Sequence, residues 1–307
     1  MNLAPIAVFC FKRVDTLEKC IELLKANPLF SKSDLIIFSD GPKKPEDVKK
    51  VEAVRGFISS IDGCKSVRLV EHKVNQGLAN SIINGVSVVL QEFGRVIVLE
   101  DDLIVSSNFL SYMNKGLEYY AKDTQIQSIS GFSPSIKIPN NYLGDIYFSP
   151  RSTSWGWATW IDRWTGVDWA MKDFEKFSKN PLQIREFNRY GNNFYSLLQK
   201  QYSGKIDSWA IRWCFDQFKK KRYSVFPTQS KVMNIGFGPE ATHTAIKLDT
   251  FDSSFDRSDK HAFEFLESKV GYNKSILKLI RAHYSFFSRV RAKIKSILFH
   301  EDIDSSQ

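Results

Sequence analysis

Short apolar runs and amphipathic stretches alternate along the first hundred residues. Predicted strands, mostly apolar and suited to burial on both faces, cover 5–11, 34–38, 67–71 and 96–105. Predicted helices, with apolar residues three and four apart, cover 15–26, 46–61 and 81–93. Asp15 is the predicted N-cap of the first helix. Strands that alternate with helices of this length predict a doubly wound, mainly parallel α/β sheet.

Three consecutive acids interrupt the fourth predicted strand. The run 96–105 carries Glu100, Asp101 and Asp102 at its centre. Because adjacent carboxylates are costly to bury without a partner, we expect them at the carboxyl end of the strand, where open α/β sheets bind ligands. Mn²⁺ or Mg²⁺ is the expected partner, since hard cations prefer carboxylate and phosphate oxygens. The alternative is a solvated acidic turn between two strands.

Polar residues also follow the first three predicted strands. Arg13 follows the first strand, Asp40 the second and Asn75 the third, so ligand chemistry is expected along this edge. The loop at 75–80 either offers backbone amides to a diphosphate or ribose, or is a glycine-bearing turn. The first loop lacks GxGxxG and the chain lacks GxxxxGK[ST], which argues against dinucleotide and P-loop sites. What remains is a nucleotide site built from side chains and a metal.

Four short patches carry a family resemblance: PIAVFCFKR at 5–13, SDG at 39–41, VLEDDL at 98–103 and NIGFGPEATHT at 234–244. In this order they resemble a GT-A glycosyltransferase, and specifically the animal N-acetylglucosaminyltransferase I family and its bacterial relatives. The patches resemble that family's first strand with its nucleotide-contacting arginine, its uracil-contacting acid, its variant of the Asp-x-Asp motif, and a glycine-rich loop that closes over the donor. The likeness in layout covers residues 5–245.

The resemblance implies metal-dependent transfer from a UDP-sugar, with inversion at the anomeric carbon. It implies that Asp102 ligates the metal, and that Glu100 and Asp101 contact the donor sugar and ribose. The expected donor-binding residues are Phe11, Arg13, Asp40, Gln76, Gly77, Asn80, Glu100, Asp101 and His243. Plain alternatives are a surface role for Arg13, an Asp-Gly-Pro turn at Asp40 and a structural role for His243.

All seven tryptophans lie between Trp155 and Trp213. Aromatic rings stack on the apolar faces of sugars, so a saccharide-binding wall is expected here. The predicted acceptor-lining residues are Trp155, Gly156, Trp157 and Trp209. The alternative is that these rings are core, because tryptophan is heavily buried on average.

An inverting transferase needs a base that deprotonates the acceptor hydroxyl. In the resembling family a catalytic Asp precedes a Trp in a short helix, and Asp207 matches that position. The sequence departs from the family at Ser208, where a second acid is common. Asp216 and Asp162 are the other candidates, and Asp207 could instead be a helix N-cap.

The C-terminal stretch 274–299 combines an apolar helical stripe with a basic opposite face. Residues 271–300 hold seven Lys or Arg and no acid, although the whole chain carries a net charge of +9. This profile predicts either a helix on an anionic membrane surface or a helix packed on the domain with a solvated basic back. Because the basic residues lie far from the aromatic ones, we do not expect a nucleic-acid partner.

The N-terminus lacks a signal-peptide layout and no apolar run is long enough to span a bilayer, which predicts a cytoplasmic protein, peripheral on the membrane at most. The four cysteines show no zinc spacing and are expected to be free thiols.

The patterns predict a mixed, mainly parallel sheet flanked by helices, and the resemblance implies that it is a GT-A fold. We expect a transferase domain at 1–250, with a nucleotide half (1–105) and an acceptor half (106–250), and a helical basic segment at 251–307. The predicted enzyme moves a hexose or N-acetylhexosamine from a UDP-sugar to a saccharide or lipid-linked saccharide in bacterial surface polysaccharide synthesis. The alternatives are a catalytically silent saccharide-binding protein and a sugar-phosphate nucleotidyltransferase, the latter disfavoured by the missing glycine-rich first loop.

Overall fold

The computed structural model describes residues 2–189, 191, 193–236 and 254–284. Its strands are β1 (Ile6–Cys10), β2 (Asp34–Ser39), β3 (Ser66–Glu71), β4 (Arg95–Glu100), β5 (Leu103–Val105), β6 (Ile126–Ser130), β7 (Ile146–Ser149), β8 (Trp157–Trp160), β9 (Tyr223–Pro227) and β10 (Val232–Asn234). Its α-helices are α1 (Val14–Lys25), α2 (Val48–Ile58), α3 (Leu78–Phe93), α4 (Phe109–Tyr119), α5 (Ile161–Trp164), α6 (Phe174–Ser178), α7 (Pro181–Phe187), α8 (Phe194–Tyr202), α9 (Trp209–Lys219) and α10 (Lys274–His283).

Within these ranges, eight strands form one sheet in the order β3-β2-β1-β4-β8-β6-β9-β7. The first four strands in this order are parallel, β8 is antiparallel to both β4 and β6, β9 is parallel to β6, and β7 is antiparallel to β9. Strands β5 and β10 form a separate antiparallel pair. The predicted fold class, a mainly parallel mixed sheet flanked by helices, is therefore confirmed.

The reversed direction of β8 decides which residues reach the ligand-binding edge. Trp157 pairs with Val98 near the end of β4, and Trp160 pairs with Arg95 at its start. The residues just before β8 consequently lie at the carboxyl end of β4, whereas α5 begins at the opposite edge of the sheet.

Both faces of the sheet are buried at β1, β2 and β4, as the apolar runs predicted, whereas the edge strand β3 is largely exposed, so the prediction of burial on both faces is wrong there. Ile6 and Val8 of β1 point into a core that includes side chains of α1, α2 and α4. Ala7 and Phe9 point into a second core, formed with α3 and the tryptophan-rich segments. The strict alternation along β1 is the two-residue period of a strand.

Several predicted boundaries shift by a few residues. Helix α1 begins at Val14, its N-cap Arg13 makes no side-chain capping bond, and Asp15 lies in the first turn, so the predicted N-cap is wrong. The predicted helix 46–61 is a 3₁₀ turn followed by α2, because Pro45 opens that turn. Helix α3 begins three residues earlier than predicted, directly after Gly77, whose φ of 76° favours glycine.

The described part of the C-terminal stretch packs on the domain. Ile276 and Ile280 of α10 are buried in the core, so for this helix the packed alternative is correct. Upstream, Asp256 is buried against Lys231 and accepts a hydrogen bond from Asn108 at 2.9 Å, which fastens the chain to β10 and the start of α4. Residues 285–299 of the predicted stripe lie outside the described residues. No helix within the described ranges has the length and apolarity needed to cross a bilayer.

Candidate active site

The three acids lie at the carboxyl end of β4, as predicted. Glu100 is the last residue of β4, and Asp101 and Asp102 form the turn into β5. The amide of Asp101 donates to the carbonyl of Phe9 at 3.0 Å, which ties this turn to the end of β1. The amide of Ile235 donates to the carbonyl of Asp102 at 2.8 Å, so β10 holds the turn from the other side.

Arg13 bridges the two aspartates. Its Nη2 donates to Asp101 Oδ1 at 2.8 Å and to Asp102 Oδ2 at 2.9 Å. The amide of Phe11 donates to Asp101 Oδ2 at 3.3 Å. Because β1 and β4 are adjacent and parallel, the loop after β1 reaches the acids directly. Phe11, Arg13, Asp101 and Asp102 were predicted to lie at one edge of the sheet, and the structure brings these four residues together.

The local electrostatics are strongly unfavourable for three negative charges. Burial raises the pKa of Glu100 well above its usual range, and the charges of Asp102 and Asp101 raise it further. Burial likewise raises the pKa of Asp101 to about 6, although Arg13 and the amide of Phe11 act in the opposite direction. A single arginine only partly compensates these acids, so an added cation would lower the energy of the charged cluster.

Asp102 has the features expected of a metal ligand. Its Oδ1 is buried and has no hydrogen-bond partner in the described part of the chain. Gly236 lies against the same carboxylate, and a Cβ there would sit only 2.7 Å from Cβ and Cγ of Asp102. No group of three or more His, Cys, Asp or Glu residues within the described ranges is arranged around a metal. Mg²⁺ and similar ions are commonly held by one or two carboxylates plus substrate phosphates, so Asp102 fits that mode.

Asp40 fastens the loop that leads into α3. Its Oδ1 accepts from the amides of Gly41 and Gln76 at 2.8 Å each, and its Oδ2 accepts from Gly77 at 3.2 Å. The amides of Gln76 and Gly77, two of those expected to face a diphosphate, are thus bound within the protein. The side chain of Asn80 donates to the carbonyl of Gln76 at 3.1 Å, which further restrains this loop.

Asp207 lies beside this loop. A Cβ built at Gly77 would be 3.8 Å from its Oδ2, so the two segments meet although they are 130 positions apart in the chain. Its side chain is 58% exposed and accessible to an acceptor. The N-cap of α9 is Ser208, which accepts from the amide of Ile211, so the capping alternative for Asp207 is wrong.

Arg212 holds the Asp207 carboxylate in place and was not among the predicted site residues. Its Nη2 donates to Asp207 Oδ1 at 3.3 Å, while Nε donates to the carbonyl of Ser208 at 3.2 Å and Nη1 to that of Trp169 at 3.4 Å. Its side chain is largely buried, and burial lowers its pKa while Asp207 opposes that shift. Arg212 lies five residues after Asp207, in the first turn of α9. This spacing is the only indication in the sequence that the two side chains could meet.

The two other candidate bases lie elsewhere. Asp216 is buried, pairs with Lys220 at 2.9 Å and accepts from Gln127 at 3.4 Å, so it has a structural role. Asp162 is in α5, at the far edge of the sheet, and is paired with Arg163. Neither carboxylate reaches the acidic turn.

The prediction of a saccharide-binding wall is wrong at two of its four positions. Trp157 and Trp209 are 1% and 3% exposed and pack together at 5.1 Å between ring centroids, so they are core. Trp155 is only partly buried and meets Phe132 edge-on at 4.9 Å. Gly156 has a φ of 55°, and a Cβ there would meet Val232 at 2.6 Å, so glycine is required for the close packing before β8. Trp155 and Gly156 lie at the carboxyl end of β4, whereas the rings of Trp157 and Trp209 are enclosed in the core.

His243 and most of the predicted glycine-rich loop lie outside the described residues.

Comparison with known proteins identifies a family. A family model described as glycosyl transferase family 2 matches residues 6–166, just over half of the chain. A search of curated proteins finds no match. The matched span contains Arg13, Asp40 and the three acids, and it ends before Asp207. It gives no support for the narrower resemblance to the N-acetylglucosaminyltransferase I family.

Proposed function

The chain belongs to glycosyl transferase family 2, and we propose that it transfers a sugar from a UDP-sugar to a saccharide acceptor with a divalent cation bound at Asp102. Membership of the family implies a glycosyltransferase that binds a nucleotide-sugar donor and an acceptor. Members of the family are commonly dependent on a divalent metal. The choice of UDP, of Mn²⁺ or Mg²⁺, and of the acceptor belongs to the proposal.

One observation carries this proposal: a buried, unpartnered carboxylate oxygen at the carboxyl edge of the sheet. Asp102 Oδ1 has no hydrogen-bond partner in the described ranges, while Oδ2 is held by Arg13. A cation bound there would stabilise the charge that builds on the diphosphate leaving group. Arg13 supplies a fixed positive charge at the same place and orients both aspartates. Glu100 and Asp101 are then positioned to accept hydrogen bonds from the donor sugar and ribose.

We assign the role of general base to Asp207. The carboxylate is exposed, lies next to the loop at Gly77, and has one oxygen bound by Arg212. The other oxygen is free of that contact and can accept the proton of an acceptor hydroxyl. A base on the acceptor side, opposite a metal on the leaving-group side, is the arrangement that an inverting displacement requires.

The acceptor is proposed to be a saccharide or lipid-linked saccharide of a bacterial surface polysaccharide, such as lipopolysaccharide or capsule. Trp155 supports this proposal, because its aromatic ring is only partly buried and lies at the same edge of the sheet as the acidic turn. The transferred group is proposed to be a hexose or an N-acetylhexosamine. We further propose a peripheral position on the inner face of the membrane.

Thermal unfolding with nucleotides tests the donor site. UDP with Mn²⁺ should raise the unfolding midpoint of the wild-type protein, because a ligand of the native state stabilises it. The rise should require metal and should vanish in Asp102→Ala. Asp62→Ala is the matched control, since Asp62 is a surface acid paired with Lys25 away from the site. No shift with any nucleotide would contradict the proposal and favour a silent saccharide-binding protein.

Release of UDP from UDP-sugars tests the chemistry separately. Asp207→Asn should retain the metal-dependent UDP shift and lose turnover by about 100-fold or more, as expected for removal of a general base. Undiminished turnover in this variant would assign the base to another residue.

A further inference from the structure

A basic groove lies between α7 and α10, away from the acidic turn. It has a volume of about 930 Å³ and is lined by parts of residues 181–189 and 272–281. Its cationic side chains are Arg185, Arg189, Lys274, Lys278 and Arg281. All five are exposed to solvent. We call this surface the basic groove.

The charges of the basic groove are almost uncompensated. Among the lining residues that the structure describes, Glu186 is the one acid. Within the described part of the chain, none of the five cations forms an ion pair with an acid. Nε of Arg281 donates to the carbonyl of Arg189 at 2.9 Å, which joins the two walls. Like charges held together in this way create a positive potential that attracts a polyanion.

Exposed apolar side chains adjoin both walls. Leu182 is 78% exposed and follows Pro181, which lines the groove. Val270 is 64% exposed and lies two residues before Tyr272, which lines the other wall. Ile276 and Ile280 of α10 are buried in the core and cannot insert into a membrane. Cations flanked by a few exposed apolar groups suit contact with lipid headgroups at the surface of a bilayer rather than insertion of a whole helix face.

We propose that the basic groove docks this protein on an anionic phospholipid surface by binding lipid phosphates. Arginine binds phosphate through paired hydrogen bonds, and both walls provide arginine. Leu182 and Val270 lie beside the bound headgroups. The docking surface includes Arg185 and Arg189, which the sequence pattern of the C-terminal stretch did not identify. This inference deepens the peripheral membrane position proposed above, and it does not depend on the transfer reaction or on the donor site.

Vesicle sedimentation with the full chain tests this proposal. The protein should sediment with phosphatidylcholine vesicles that contain phosphatidylglycerol, and should remain in solution with phosphatidylcholine alone. The test variant changes Arg185, Lys274 and Lys278 to Gln. Since each basic residue near an anionic surface contributes about a fivefold gain in binding, its affinity should fall by about 100-fold. Added salt should release the wild-type protein.

A matched control removes the same charge elsewhere. Lys49, Lys122 and Lys137 are exposed and lie outside the basic groove, so their replacement by Gln should reduce binding only slightly. The midpoint of thermal unfolding without ligand should be close to the wild-type value in both triple variants, which shows that both remain folded. Equal loss of binding in test and control variants, or no binding to anionic vesicles, would overturn the proposal. Binding of a soluble anionic polysaccharide in the groove, without binding of vesicles, would also overturn it.

Discussion

Gly236→Ala is a sharp test of the Asp102 site, because it adds one methyl group at a known distance. The Cβ would lie 2.7 Å from Cβ and from Cγ of Asp102. Carbon atoms that are not bonded normally approach to about 3.5 Å, so the Asp102 side chain must move by about 1 Å. Asp102 cannot move this far and keep its Arg13 bond, which is 2.9 Å long in the native protein.

The expected effect is large on ligand binding and small on folding. A displacement of about 1 Å at a reacting centre costs about 100-fold in activity, and we expect a loss of similar size in metal-dependent UDP affinity. Crowding by one methyl group typically lowers the free energy of unfolding by about 1–3 kcal/mol, which leaves the protein folded at room temperature. The variant should therefore unfold with one transition, and Mn²⁺ should no longer strengthen its binding of UDP.

Calorimetric titration of UDP, with and without Mn²⁺, measures this effect. Gly56→Ala is the matched control, since nothing lies within 4 Å of a Cβ there and Gly56 is in the interior of α2. It should leave UDP affinity unchanged and stabilise the fold by about 0.5–1 kcal/mol. If Gly236→Ala binds UDP and Mn²⁺ as tightly as the wild type does, the Asp102 carboxylate does not hold the metal.

Three further predictions concern residues outside the acidic turn. Burial opposes ionisation of Asp256, but hydrogen bonds from Lys231 and other donors lower its pKa to about 2. The stability that Asp256 provides is thus present above its unfolded-state pKa of about 4 and lost as pH falls toward 2. Asp256→Ala should lower the free energy of unfolding by about 3–5 kcal/mol near pH 7, where it leaves Lys231 buried and unpaired, and by about 1 kcal/mol less near pH 3, where Asp256 is mostly protonated in the unfolded chain, as urea titrations at both pH values would show. Trp157→Ala should lower the free energy of unfolding by about 3–5 kcal/mol in the same assay. A loss below about 1 kcal/mol would contradict the core position of Trp157 and support its predicted role in lining the acceptor site. Arg212→Met should lower kcat by about 10–100-fold with the donor KM unchanged, because Asp207 loses its orientation, and Arg212→Lys should recover part of the rate; an unchanged kcat would exclude this positioning role.

The fold and the acidic turn were predictable because they depend on short-range pattern. The apolar run of β4 and its abrupt change to three acids place Asp101 at the end of a buried strand. The helix–strand alternation then implies that the loop after β1, with Arg13, reaches the same edge. Both inferences need only the two-residue period of a strand and the rule that parallel strands end together.

The roles of the tryptophans and of Arg212 were not predictable from the sequence, since they depend on how the segments pack against one another in the fold. Trp155 and Trp157 are two residues apart, yet the first is only partly buried and the second is core, because β8 begins at Trp157 and Trp155 lies before the strand. Arg185 reaches the basic groove only because α7 packs near α10, a contact between segments about 90 residues apart. Periodicity within one segment carries no information about such pairings.

The three hydrogen bonds to Asp40 have a consequence for how this enzyme could change its donor. A carboxylate offers about four lone-pair sites, and the amides of Gly41, Gln76 and Gly77 occupy three of them. If Asp40 contacts the nucleobase of the proposed UDP-sugar, one site is left for it, enough for a single N–H such as the imide of uracil. Any substitution that adapted position 40 to another base would also release the loop before α3. A lineage that switched nucleotide would therefore be expected to alter the residues around Asp40 and to leave the aspartate itself in place.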